Sequence, residues 1–121
     1  MRPMLSRVLC VLSLALPAFA CGDSTGGTGD CVQGDAPSFT EVDFSSCTHC
    51  HDSSKSGADR QAAPDSVNYD NYDDAKQNAS QGAARVDNSS SPMPPATSDG
   101  PALSAEAKAQ IIDWANCGTP Q

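Results

Sequence analysis

The sequence predicts an all-α domain of three main helices, built around something larger than its own apolar side chains can supply. Three observations predict it. Helix-start signals stand at Ser38, at Asn68 or Asp70, and at Ser104. Polar stretches without apolar periodicity, Asp52 to Ser66 and Asp87 to Pro101, separate them. Beyond residue 20 only thirteen large apolar side chains occur, from Val32 to Trp114, too few for a self-sufficient core in a domain of this size.

The chain has 121 residues, enough for one small domain. Residues 1–20 are expected to lie outside it, as a secretory signal peptide. Arg2 and Arg7 give a positive start, Val8 to Leu16 an apolar run, and Ala18-Phe19-Ala20 a small-x-small cleavage site. The run is too short to span a bilayer as a helix. A buried N-terminal helix is the competing reading, but it does not account for that order of charge, apolar run and cleavage site.

Cys21 follows the cleavage site in the manner of a bacterial lipobox and is the expected lipidation site. Ala18 stands where leucine is usual. Residues 21–36 form the expected linker, with Gly22 to Asp30 a flexible Gly/Ser/Thr/Asp spacer. Cleavage at the same bond by the general signal peptidase would instead leave a soluble protein. Either route exports the chain, and lipidation would hold it on the periplasmic side of a bacterial membrane.

The formal charge is −8; without Arg2 and Arg7 the remainder carries 5 basic and 15 acidic residues, or −10. A surface of this sign repels nucleic acid and anionic lipid and suits a basic protein partner.

The domain proper is expected over residues 37–121. Ser38-Phe39-Thr40-Glu41 reads as a capping box after Pro37. Helical spacing puts Phe39, Val42, Ser46 and Cys50 on one face, so this helix delivers Cys47-Thr48-His49-Cys50-His51 at its C-terminal end. Two cysteines three apart with a histidine after the second form the attachment sequence of c-type haem. The i, i+3 and i, i+4 spacings bring Cys47, Cys50 and His51 onto one turn. Two thioethers then hold one porphyrin edge, and His51 is the proximal iron ligand. His49 points elsewhere, toward solvent or a propionate, and carries no assigned role. Within the following loop, Ala62-Ala63-Pro64 is the expected source of a carbonyl for the other ring nitrogen of His51.

The second helix is expected to run to about Val86. Tyr72, Ala75, Ala79, Ala83 and Val86 form its packing stripe. Tyr69 and Tyr72 are candidates for contact with the haem edge or a propionate. In the next loop stands Met93, the one methionine left once Met1 and Met4 depart with the signal peptide. Pro92, Pro94 and Pro95 stiffen its surroundings, which suits a distal thioether ligand to the iron. Ser104 caps the last helix, Glu106 favours its first turn, and Gly118 closes it. Ala107, Ile111, Trp114 and Ala115 share its apolar face, whose expected partner is the helix carrying Phe39 and Val42.

In this order the parts resemble a class I mono-haem c-type cytochrome exported as a bacterial lipoprotein. The resemblance rests on Cys47-x-x-Cys50-His51, Met93-Pro94-Pro95 and Leu103-Ser104…Trp114-x-x-Cys117-Gly118, and covers Pro37 to Gly118. Asp43, where an apolar residue is usual, and the lack of an early glycine or alanine after His51 depart from the pattern. The resemblance implies a small cytochrome c-like fold, three main helices around one covalent haem, and a last helix crossing the first. That crossing would bring Cys31, before the first helix, to Cys117, at the end of the last. With Cys10 in the signal peptide, Cys21 lipidated and Cys47 and Cys50 on haem, a Cys31–Cys117 disulfide is expected in an oxidising compartment.

The function expected is electron transfer, with no enzymatic activity of its own, since His51 and Met93 fill both axial positions. A redox partner protein with a basic docking face and a membrane reached through the lipid are the expected partners. Two alternatives use the same cysteines: a zinc module adding a histidine and Cys31 or Cys117, and a thiol–disulfide oxidoreductase at Cys47-Thr48-His49-Cys50. The first lacks a second ligand group of similar spacing. The second lacks a β-rich run before Ser38.

Overall fold

The computed structural model describes Cys31 and residues 34–121. The expected signal peptide, the expected lipidation site Cys21 and the expected spacer Gly22 to Asp30 lie outside the described residues. Among the described residues every regular element is helical: α1 (Ser45–Thr48), a 3₁₀ turn (Gly57–Arg60), α2 (Tyr72–Gln77), α3 (Ala79–Val86) and α4 (Ala105–Asn116).

The first helix is far shorter than its capping box suggests. Ser38 N donates to Glu41 Oε2 at 2.8 Å, but Ser38 Oγ donates to the same carboxylate at 2.9 Å instead of accepting from the backbone. Asp43 then breaks the helical path. Its N–H goes to the Gln110 side chain, and its carboxylate takes the N–H of Ser45, each at 3.0 Å. A short acidic side chain competing for backbone donors is a known helix interrupter. Val42, Phe44 and Ser46 are therefore buried with exposed residues between them, and only one turn, α1, remains.

The second helix starts later than expected and divides. Asn71, rather than Asn68 or Asp70, is its N-cap, accepting from Asp74 N at 3.0 Å. Asn78 interrupts it with φ −101° and ψ 5°, its amide donating to Asp74 O at 2.8 Å. The alanine stripe survives the break, with Ala75, Ala79, Ala83 and Val86 all buried.

The last helix forms as its signals predict. Ser104 Oγ accepts from Ala107 N at 3.0 Å, and Gly118 turns the chain at φ +85°. Ala107, Ile111 and Trp114 are buried. The helix lying against α4 is α3, with Lys108 Nζ 2.9 Å from Asp87. The expected partner contributes aromatic rings instead, because its chain is not helical there. Phe39 and Phe44 stand 6.0 and 5.5 Å from the Trp114 ring. Burying Trp114 completely contributes on the order of 2–3 kcal/mol, and ring pairs of this kind add about 1 kcal/mol. The tail folds over this cluster, Pro120 O accepting from Trp114 Nε1 at 2.8 Å and from Phe39 N at 2.9 Å. Next to it, the Cys31 and Cys117 sulfurs lie 2.18 Å apart, at bonding distance.

Candidate functional site

The turn begun by α1 continues through the motif. Cys50 N and His51 N both donate to Cys47 O, at 3.1 and 2.8 Å. Cys47, Cys50 and His51 thereby face one cavity of about 290 Å³. Met93, Pro94 and Pro95 also line it, as do Tyr69 and Ile111 from the core. Three residues of the motif and Met93 thus line the same cavity. The lining is mostly apolar, near the lower end of the volumes typical of ligand sites.

His51 is oriented by its surroundings. Its Nδ1 lies 3.0 Å from Val67 O, which makes Nδ1 the protonated nitrogen and leaves the Nε2 lone pair free. The ring meets Tyr69 edge-on at 5.7 Å. Burial lowers the His51 pKa; the Val67 hydrogen bond opposes this and the Arg60 charge adds to it. A neutral imidazole held by a backbone carbonyl is the form that ligates a metal.

The carbonyl is Val67's and not one from Ala62-Ala63-Pro64, for a reason the sequence does not display. Arg60 is 3% exposed and lies inside the loop. Its guanidinium takes Ala63 O at 3.2 Å, Pro64 O at 2.6 Å and Asp52 O at 2.7 Å. It also donates to Asn68 Oδ1 at 3.0 Å and to Val67 O at 3.1 Å. Ala63 O and Pro64 O are thus bonded to the arginine, and Val67 O is shared between the arginine and His51. No periodicity marks a buried arginine in a polar loop; the one available signal is that Arg60 is the only arginine between the motif and Val67.

Cys47 is the more enclosed kind of thiol. Burial, with a smaller contribution from the Asp43 charge, pushes its pKa up to about 12. Tyr69 is likewise pushed up to about 12, first by burial and then by Cys47. Tyr69 lines the cavity, as one of its two expected roles requires. Tyr72 does not: its hydroxyl donates to Thr119 O at 2.9 Å, and its ring lies 5.7 Å from Phe39. It ties the C-terminal tail down because the turn at Gly118 brings Thr119 over α2.

The methionine loop is fastened at both ends. Met93 N donates to Arg85 O at 3.2 Å, and Asn88 Oδ1 accepts from Ser90 N and Ser91 N at 2.8 and 2.9 Å. At the far end His49 Nε2 meets Asp99 Oδ1 at 2.7 Å. Gly100 lies so close to the His49 ring that a Cβ there would collide with it. His49 therefore lies on the solvent side, outside the cavity lining, against the exposed carboxylate of Asp99. The two histidines of the motif serve different groups.

The cavity brings together two thiols on one turn, an imidazole nitrogen with a free lone pair, a thioether, and apolar walls. Among the described residues neither thiol is paired with another cysteine. No family model, no curated protein and no solved structure matches this chain.

Proposed function

We propose that this chain is an exported, lipid-anchored mono-haem c-type cytochrome that carries single electrons between protein partners. The observation that carries the reading is the meeting of Cys47, Cys50, His51 and Met93 in one apolar cavity. When bound, the haem supplies a one-electron Fe(II)/Fe(III) couple. Cys47 and Cys50 would hold it through thioethers. His51 would ligate the iron through Nε2, the nitrogen left with a lone pair by the Nδ1 contact to Val67 O. Met93 would be the second protein ligand, and a thioether donor favours a high reduction potential. Two side-chain ligands would suit electron transfer rather than substrate chemistry at the iron. The strongly acidic chain suits docking by a basic partner, with an attraction that weakens as salt rises. The raised Cys47 pKa runs opposite to what a thiol–disulfide oxidoreductase needs, which is a stabilised thiolate.

The test is spectroscopic. Protein matured with cytochrome c assembly factors is expected to show a reversible one-electron titration and, when oxidised, the weak long-wavelength sulfur-to-iron band. Met93→Ala is expected to abolish that band. An unchanged spectrum would remove Met93 from the site.

A further inference from the structure

Arg60 is a buried cation whose contacts reach the proximal histidine. Its Nη2 and His51 Nδ1 share one acceptor, Val67 O, at 3.1 and 3.0 Å. The nearest carboxylate, Asp65, lies 3.4 Å from Nε, but its side chain is 95% exposed and bathed in water. The arginine charge is thus offset on the solvent side and felt on the cavity side, where the local dielectric is lower.

Two effects follow, with the same sign. A carbonyl oxygen already donating electron density to a guanidinium is a poorer acceptor for the imidazole N–H. The His51 N–H bond is then less polarised, and Nε2 is a weaker donor. Independently, a fixed positive charge near the ring disfavours the more positive oxidation state of a metal bound to it. Both destabilise Fe(III) relative to Fe(II).

We infer that Arg60 is a positioning residue that sets the donor strength of His51 through their shared Val67 carbonyl, and so raises the reduction potential of the bound haem. The inference rests on the haem reading above and extends it to a residue outside the attachment motif.

The test is a potentiometric titration of wild-type, Arg60→Met and Arg60→Lys holoproteins, each first assayed for covalent haem by its pyridine haemochrome spectrum. Arg60→Met is expected to lower the potential, and Arg60→Lys, which keeps the charge but loses the forked contact, to lie between it and wild type. A potential in Arg60→Met equal to or above that of wild type, with haem attached, overturns the inference. Because Arg60 also braces the loop, its loss can prevent folding. The decision then passes to Asn68→Asp, which sets a carboxylate against the same guanidinium. A lower potential there supports the inference, and an unchanged or higher one overturns it. Absence of covalent haem from the wild-type protein contradicts the proposed function instead, so the two failures are distinguishable.

Discussion

His49 Nε2 lies 2.7 Å from Asp99 Oδ1, so the residue between Cys47 and Cys50 grips the far end of the methionine loop. Gln61 Nε2 donates to the same carboxylate oxygen, and the Lys55 ammonium donates to His49 O. The contact lowers the Asp99 pKa, chiefly through the His49 hydrogen bond and then that from Gln61. A depressed carboxylate contributes stability above its unfolded pKa and loses it as pH falls through the folded value. Accordingly, His49→Ala or Asp99→Asn is expected to lower the temperature at which the holoprotein loses its sulfur-to-iron band, while haem content stays the same. The wild-type advantage is expected to shrink below about pH 4, where carboxylates protonate. Equal midpoints at neutral pH would show that this contact does not hold the loop.

Cys47 is where the proposed haem attachment and thiol–disulfide exchange predict different behaviour. Its raised pKa, set by burial and then by the Asp43 charge, leaves far less thiolate near neutrality than an ordinary cysteine would have. Alkylation of Cys47 at pH 8, followed by mass spectrometry of peptides, is expected to be at least tenfold slower in the folded protein than in denaturant. The sign for stability follows: a raised pKa contributes fully below the unfolded value and is lost as pH rises toward about 12. Haem-free protein should therefore weaken above pH 9, and a Cys47→Ala variant should weaken less. Rapid alkylation in the folded state would favour the oxidoreductase reading.

Gly82 sits in α3 where glycine ordinarily costs about 1 kcal/mol relative to alanine. Here the Tyr69 ring occupies the space. A Cβ would collide with the Tyr69 hydroxyl and come 3.1 Å from its Cζ. Gly82→Ala is therefore expected to destabilise the protein by about 1–3 kcal/mol in urea titrations, the usual cost of overpacking. Adding Tyr69→Phe removes the colliding oxygen and is expected to recover most of the loss. A stabilising Gly82→Ala would mean that Tyr69 does not pack against α3.

The Cys31–Cys117 pair spans 86 positions and ties the segment before Ser38 to the end of α4. In the chain-entropy account, closing a loop of that length contributes about 4 kcal/mol. Peptide mapping without reductant is expected to recover the two cysteines as one linked species, and the Cys31→Ser/Cys117→Ser double variant to unfold at markedly lower urea. Two free thiols in exported protein would contradict the pairing.

Much of the site was legible because local spacing governs it. Cys47, Cys50 and His51 meet on one turn by helix geometry alone. Ser104 and Gly118 mark the ends of α4 through backbone hydrogen bonds that local sequence encodes. Met93 could be singled out by elimination among the methionines. What escaped was set by side chains that compete with the backbone. Asp43 reduces the first helix to a turn by taking the N–H of Ser45. Asn78 splits the second helix through its amide contact with Asp74 O. Arg60 takes Ala63 O and Pro64 O and shares Val67 O with His51. His49 and Asp99 stand 50 positions apart, and nothing in either neighbourhood announces the other.

The most direct test of the central claim is whether haem stays on the polypeptide after acid–acetone extraction of protein matured in an exporting host. We predict that one haem per chain remains, with a pyridine haemochrome spectrum of two thioether links, and that a Cys47→Ala/Cys50→Ala double variant retains none. Complete extraction of haem from the wild-type chain, or no haem at all, would contradict the account.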